Sequence, residues 1–484
     1  MLNYGAIFHI LGWLMGGFGI AMLLPALISL AYHEHHWLSF VTAAILSFFV
    51  GGNLILMNRG APKNLSHKDG FLLTALTWFV IGLLGALPIY FTGTVPTFID
   101  AAFEAYSGLT TTGATVISGL DTLNRGVLFW RAMMQWLGGM GVVVLAIAIL
   151  PFLGIGGMQL YKTEMPGVVK DKLQPRLQET AKHLWGVYLF ITSMCALYYY
   201  VFGMSGFDAV CHAFTTVATG GFSNYDDSFG AFNNNHMLEW GGTLFMLLGG
   251  ANFTLHYLAL HRASVGVYFK DREFKIYTLC LFAISVTVYY SWAITDGSFQ
   301  NANIRDALFN VVSIATTTGY ATTDYTLWSP YTCLIMIVLM CWGGCSGSTA
   351  GGLKMMRVML IAKQGLREIM RLLHPRSIQT VKIGGQAIPE DVRQTVWSFV
   401  GVFFALFAVL TLCLSFIGLD MIDAFSAVAA TITSAGPGLG SVGPSGNYAD
   451  LPNLAKVLLC FSMVAGRLEL FTLLVVMSPG FWRR

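Results

Sequence analysis

The residues of this 484-residue sequence best suited to chemistry are four short runs of hydroxyl residues and glycine. They are Thr110-Thr111-Thr112-Gly113, Ala218-Thr219-Gly220-Gly221, Thr316-Thr317-Thr318-Gly319 and Thr433-Ser434-Ala435-Gly436. The last glycine of each run stands thirteen residues after an aspartate that precedes an alanine: Asp100, Asp208, Asp306 and Asp423 in turn. Hydroxyl and main-chain carbonyl oxygens are the groups that replace water around a bare cation in a narrow pore. Glycine lets the backbone turn through φ > 0 with no Cβ penalty. Thr111, Thr112, Gly113, Thr219, Gly220, Gly221, Thr317, Thr318, Gly319, Ser434, Ala435 and Gly436 are therefore the candidate cation ligands. Close helix packing by small residues would account for one such run, but not for four in one register.

A short helix is expected ahead of each run. The four aspartates are assigned to its N-cap, where a carboxylate accepts orphan backbone N–H groups. The C-terminal end of such a helix would turn partial negative charge toward the pore centre, worth up to about 1 kcal/mol to a cation.

These runs sit in a chain that is 55% hydrophobic and only 11% charged, with mean hydropathy +0.65. Apolar stretches of about 20 residues recur along it, the length that crosses a bilayer as helix. An all-α polytopic membrane protein is the expected class. The net charge of +3 and the lack of a basic stretch interleaved with aromatics give no reason to expect a nucleic acid partner. The first apolar stretch, about Met1 to Ala31, lacks a basic lead-in and is expected to stay as a helix. The eight cysteines lack metal-site or disulfide spacing and read as small buried side chains. His33-Glu34-His35-His36 reads as an interfacial corner, since adjacent residues rarely converge on one ion.

Two spans are expected first, at roughly 2–31 and 37–58, followed by four units of span, run and span. The paired spans lie near 70–92 and 128–150, 183–203 and 237–260, 274–294 and 330–372, and 394–418 and 452–478. This divides the chain into 1–68, 69–182, 183–272, 273–384 and 385–484: two N-terminal helices, then four pseudo-symmetric helix, pore-helix, helix repeats around one central pore. Placing the loops near 59–68, 151–182, 261–275 and 354–393 and the C-terminus inside puts there every lysine and arginine except Arg125, Arg131, Arg305, Lys456 and Arg467. The positive-inside rule then makes the N-terminus cytoplasmic and sets all four runs on the outer side.

The second span of the third unit is interrupted by glycines and hydroxyls. Gly343, Gly344, Ser346, Gly347, Ser348, Thr349, Gly351, Gly352 and Lys354 fall between Cys341 and Met355. Each glycine costs a helix about 1 kcal/mol against alanine, and unwound backbone survives at membrane depth only where it faces protein or water. A gating loop near 343–353, below the runs, is the expected outcome. Arg467, inside the last apolar span, is a functional candidate because a cation there is costly. It is expected either to face the ion path or to pair with Glu469 or Glu104.

The four units, their TTTG, TGG, TTTG and SAG runs and the two extra N-terminal spans resemble the Trk/Ktr/HKT superfamily of potassium translocators, across essentially the whole chain. The resemblance implies a potassium-permeable pore of four unequal quarters with one filter glycine in each, at Gly113, Gly221 (or its neighbour Gly220), Gly319 and Gly436. It implies a homodimer in the bacterial inner membrane among its lipids, and a cytosolic TrkA-type nucleotide-binding ring acting on the basic loops around 162–182 and 354–382. In plant relatives a serine at the first filter position goes with sodium permeation, so Gly113 implies potassium. Ser434-Ala435 in place of a threonine pair departs from a perfect ring, and discrimination against sodium is the property this puts in doubt. The implied cargo is K+, with no organic cofactor and no covalent chemistry. A sodium- or proton-coupled symporter is the alternative; an intramembrane enzyme would need a nucleophile and base or paired aspartates at membrane depth, and the four aspartates are assigned to capping.

Overall fold

The computed structural model describes residues 2–61, 65–141, 177–296, 302–375, 380–383 and 386–483. Among these residues one two-residue antiparallel pair, Lys382–Ile383 with Gln386–Ala387, is the whole of the sheet; the rest of the regular structure is helical. Helices α1 (Tyr4–Ala31) and α2 (Trp37–Met57) pack along each other. At the corner between them Glu34 accepts from the backbone N–H of Arg125 at 2.7 Å and of Gly126 at 3.3 Å. An acidic side chain at these orphan donors fixes where α5 (Arg125–Gly139) begins.

The first unit consists of α3 (His67–Phe91), the short α4 (Phe98–Leu109) and α5. The second has α6 (Leu177–Val201), α7 (Gly206–Val217), α8 (His236–Gly249) and α9 (Phe253–His261). The third has α10 (Arg272–Thr295), α11 (Ile304–Ala315), α12 (Pro330–Trp342) and α13 (Met355–Leu373). The fourth has α14 (Glu390–Ile417), α15 (Met421–Ile432), α16 (Asn453–Arg467) and α17 (Phe471–Met477).

Packing between units runs in a closed circle. The helix after each run lies against the short helix of the next unit: α5 on α7, α8 on α11, α12 on α15, and α16 back on α4. The four short helices are thereby walled in, and α4 is buried almost from end to end.

Among the described residues, six helices are long and apolar enough to cross a bilayer. Their outward faces are apolar too: on α14, Phe416 is 93% and Leu412 70% exposed. Surface of this kind is disfavoured in water by about 25 cal/mol per Å², and against lipid it is matched. The chain is a polytopic membrane protein.

Two expected spans are not straight. The chain over 237–260 bends by 100° between α8 and α9, and that over 452–478 by 116° between α16 and α17. Hydropathy alone cannot register such a break. At the second bend Glu469 and Leu470 take left-handed φ of 52° and 55°, a conformation that costs a side-chain-bearing residue about 1–2 kcal/mol. The remainder of the span expected at 128–150, and most of the basic loop at 162–182, lie outside the described residues.

Candidate ion filter

Each short helix ends in the same backbone motif. The residue after the C-cap has left-handed φ: 57° at Thr111, 52° at Thr219, 55° at Thr317 and 58° at Ser434. Its N–H returns to a last-turn carbonyl (Thr111 to Gly108, Thr219 to Thr216, Thr317 to Ile314, Ser434 to Thr431). The next N–H returns to the carbonyl one residue earlier, at 2.8 Å in all four: Thr112 to Ser107, Gly220 to Thr215, Thr318 to Ser313, Ala435 to Ala430. Glycine normally occupies that left-handed position; a threonine or serine there stores about 1–2 kcal/mol of strain, repeated four times at one place. Because a trans peptide sets its C=O opposite its N–H, amides turned back onto the helix leave carbonyl oxygens turned away from it.

The four runs meet. A Cβ added to Gly113 would lie 2.2 Å from Gly220 O, on Gly221 1.8 Å from Thr318 O, on Gly319 2.3 Å from Ala435 O, and on Gly436 2.6 Å from Thr112 O. The contacts close a ring in chain order, with every glycine at positive φ, between 75° and 90°. All four glycines line one cavity together with Arg131, Tyr225 and Tyr448. Any side chain at these glycines would strike the next unit's carbonyl. Thr110 and Thr112 share a hydroxyl hydrogen bond of 2.8 Å, as do Thr316 and Thr318, whereas the second and fourth runs have no such pair.

The interrupted segment sits directly against this ring. Its ends close on each other, with Leu353 N–H donating to Cys341 O at 2.9 Å and Met355 N–H to Gly344 O at 2.9 Å. Gly343, Gly347, Gly352 and Lys354 all have positive φ. At its middle, Thr349 Oγ1 shares its one proton between Val217 O at 3.1 Å and Gly249 O at 3.0 Å, and accepts from the Thr219 hydroxyl at 3.1 Å. Gly351 N–H donates to Thr317 Oγ1 at 2.7 Å. A Cβ on Gly351 would lie 2.0 Å from Thr433 O. Ser348 and Ala350 give their carbonyls to the Lys354 ammonium, and Ser346 N–H donates to Glu273 at 2.8 Å. Arg467 donates to Thr349 O at 2.8 Å and, through its other terminal nitrogen, to Gly138 O at 2.5 Å and Gly139 O at 2.8 Å.

A family model described as a cation transport protein, TrkH, matches residues 36–483. The chain belongs to the TrkH family. It is 45% identical over 482 residues to the Trk system potassium uptake protein TrkH of Halomonas elongata, covering 99% of each chain. It is 41% identical over 488 residues to the protein of the same name from Escherichia coli K12, covering 100% of each. The crystal structure of the potassium transporter TrkH from Vibrio parahaemolyticus superposes with TM-score 0.89 at 40% identity over 100% of both chains. TrkH-family membership makes this a transport protein and not an enzyme.

One expectation is corrected on this TrkH-family chain. The four aspartates are not N-caps. Thr97, Ser205, Asn303 and Asp420 hold that position, and each aspartate lies three residues into its helix. From there the carboxylate ties the helix start to chain beyond the run. Asp208 accepts from Asn224 at 2.8 Å and Tyr225 at 3.0 Å, Asp306 from Thr322 at 3.3 Å, and Asp423 from the Ser441 hydroxyl at 2.6 Å. Asp100 instead takes Lys456, from the fourth unit, at 2.6 Å. Burial, with the Asp208 carboxylate beside it, pushes the Tyr225 phenol up to about 12, so it remains a donor. The two carboxylates considered for Arg467 also have other cations: Glu104 pairs with Arg131, and Glu469 with Arg357.

Sequence reasoning missed the groups behind the ring. Glu104, fully buried, accepts from Arg131 Nε at 2.7 Å, Val116 N–H at 3.0 Å and the Thr115 hydroxyl at 3.0 Å. Arg131 also donates to Ser223 O at 3.0 Å, so one ion pair braces the chain just beyond the first and second runs. Two ionisable residues within apolar segments were the signal available.

Proposed function

We propose that this chain takes up potassium ions across the bacterial inner membrane through a gated, channel-like filter. The observation that supports it most is the closed ring in which Gly113, Gly221, Gly319 and Gly436 each meet the next unit's carbonyl. Four helix C-termini around that ring favour a cation by about 0.3–1 kcal/mol each, and main-chain oxygens take the place of its hydration water. The relatives named as potassium uptake proteins support K+ as the cargo.

In this reading the four units are 69–182, 183–272, 273–384 and 385–484, behind two N-terminal helices in 1–68. The segment from Gly343 to Gly352 is the gate, held closed from Arg467. The N-terminus is cytoplasmic, the protein works as a homodimer among membrane lipids, and a cytosolic nucleotide-binding ring of the TrkA type sets the gate through the basic loops. The test is 86Rb+ uptake into liposomes carrying the purified chain, with a potassium gradient but no sodium or proton gradient. Uptake is expected; none without a sodium or proton gradient would mean a coupled symporter. Gly319→Ala should lower the Rb+ to Na+ flux ratio, because its Cβ meets Ala435 O.

A further inference from the structure

Gln135, on α5 and fully buried, holds a peptide of the second run from two sides. Its Nε2 donates to Gly220 O at 2.6 Å and its Oε1 accepts from Phe222 N–H at 3.0 Å. Gly220 O is also the oxygen that meets Gly113 across the ring, so this carbonyl is gripped between the carboxamide and the first unit.

The other units lack the arrangement. Gly138, Gly249 and Gly466 are equivalent positions, because a Cβ on each would come within 1.7 Å of Leu109 O, 3.0 Å of Val217 O and 2.0 Å of Ile432 O, at the ends of three pore helices. Three residues before them stand Gln135, Met246 and Met463. Met340 stands three before Gly343, where α12 ends. A thioether has no N–H to donate. Gly220 differs in the same way from its counterparts Thr112, Thr318 and Ala435. Its φ lies outside the left-handed region, so backbone freedom does not call for glycine there. Space does: a Cβ on Gly220 would lie 2.4 Å from Gln135 Cδ. Glutamine on one helix and glycine on the run fit only together.

We propose that Gln135 is a positioning residue that sets ion discrimination by fixing the Gly220 carbonyl; this rests on the reading of the runs as a filter. An oxygen already accepting a hydrogen bond offers an ion a weaker field. Held from behind, it also cannot swing inward to meet a smaller ion. Among the described residues, three of the ring oxygens are then free of such a clamp and the fourth is fixed, which disfavours Na+.

The test is the Rb+ to Na+ flux ratio of the full-length chain in liposomes, a readout that a purely structural role would not move. Gln135→Met, the side chain of the other units, should lower the ratio about fivefold, the scale of one neutral hydrogen bond. Gly220→Thr alone should abolish flux by collision with Gln135, and adding Gln135→Met should restore part of it by recreating the pattern of the third unit. If Gln135→Met fails to assemble, Gln135→Asn, one methylene too short to reach Gly220 O, carries the same expectation. A native ratio in the assembled variant overturns the proposal when Gly319→Ala does lower the ratio. A native ratio in both overturns the filter reading itself.

Discussion

The backbone N–H of Gly351 donates to the hydroxyl of Thr317 at 2.7 Å, which fastens the intramembrane loop to the third run at the residue held in left-handed φ. Thr219, at the same place in the second run, bonds Thr349. Among the described residues, its counterparts Thr111 and Ser434 have buried hydroxyls without a hydrogen-bond partner. The loop thus binds the ring on one side, and its displacement must break bonds to the ring itself.

Gly351→Ala should weaken that closure. Its Cβ would lie 2.0 Å from Thr433 O, a distance only a shift of the loop can relieve, since Thr433 is the C-cap of a buried helix. Rb+ flux into liposomes should rise, and deletion of the segment from Gly343 to Gly352 should raise it further. Native flux in both variants would remove the loop as a gate.

Arg467→Ala should have two separable effects. It removes hydrogen bonds to Thr349 O, Gly138 O and Gly139 O, and bonds from a charged donor contribute about 1.5–3 kcal/mol each. Flux should rise because Thr349 is released, and Tm in detergent should fall because the end of α5 loses its cap. A lower Tm with unchanged flux would leave Arg467 a structural role only.

The loop's exit is fastened to the same stretch. Arg357, on the first turn of α13, pairs with Glu469 and lies over the Phe399 ring at 4.2 Å. Since Arg467 and Glu469 share one strained bend, Glu469→Gln and Arg357→Gln should each raise Rb+ flux. The exchange Arg357→Glu with Glu469→Arg should bring it back toward native. An exchange variant as fast as the single ones would mean that the pair itself is not what restrains the loop.

The sequence made the repeated unit legible because the aspartate-to-glycine register survives every change in loop length around it. The helix break after Trp342 was legible for a similar reason: so many glycines cannot continue a helix. What stayed hidden depended on partners far along the chain. Asp100 looks like a cap in isolation, yet Thr97 caps the helix and Asp100 meets Lys456 of another unit. Gln135 looks like a further polar residue beside Arg131 in a largely apolar helix, and only the fold sets it across Gly220. The bends at Gly250 and Leu468 escape hydropathy because both arms of each are apolar.

The ion pair behind the ring yields the sharpest stability test. Arg131 and Glu104 are 1% and 0% exposed, so removing one charge strands the other in a low-dielectric interior, at a cost of about 3–5 kcal/mol. Glu104→Gln keeps the shape and some hydrogen bonding to Val116 and Thr115, but leaves Arg131 unneutralised. Tm should fall steeply, and Arg131→Met alone should do the same. The double variant Glu104→Gln with Arg131→Met removes the stranded charge and should recover much of the Tm. Its Rb+ to Na+ flux ratio should nevertheless stay below native, because Ser223 O loses the donor that braces the second run. Recovery of both Tm and ratio would show that the pair serves stability alone and does not shape the filter.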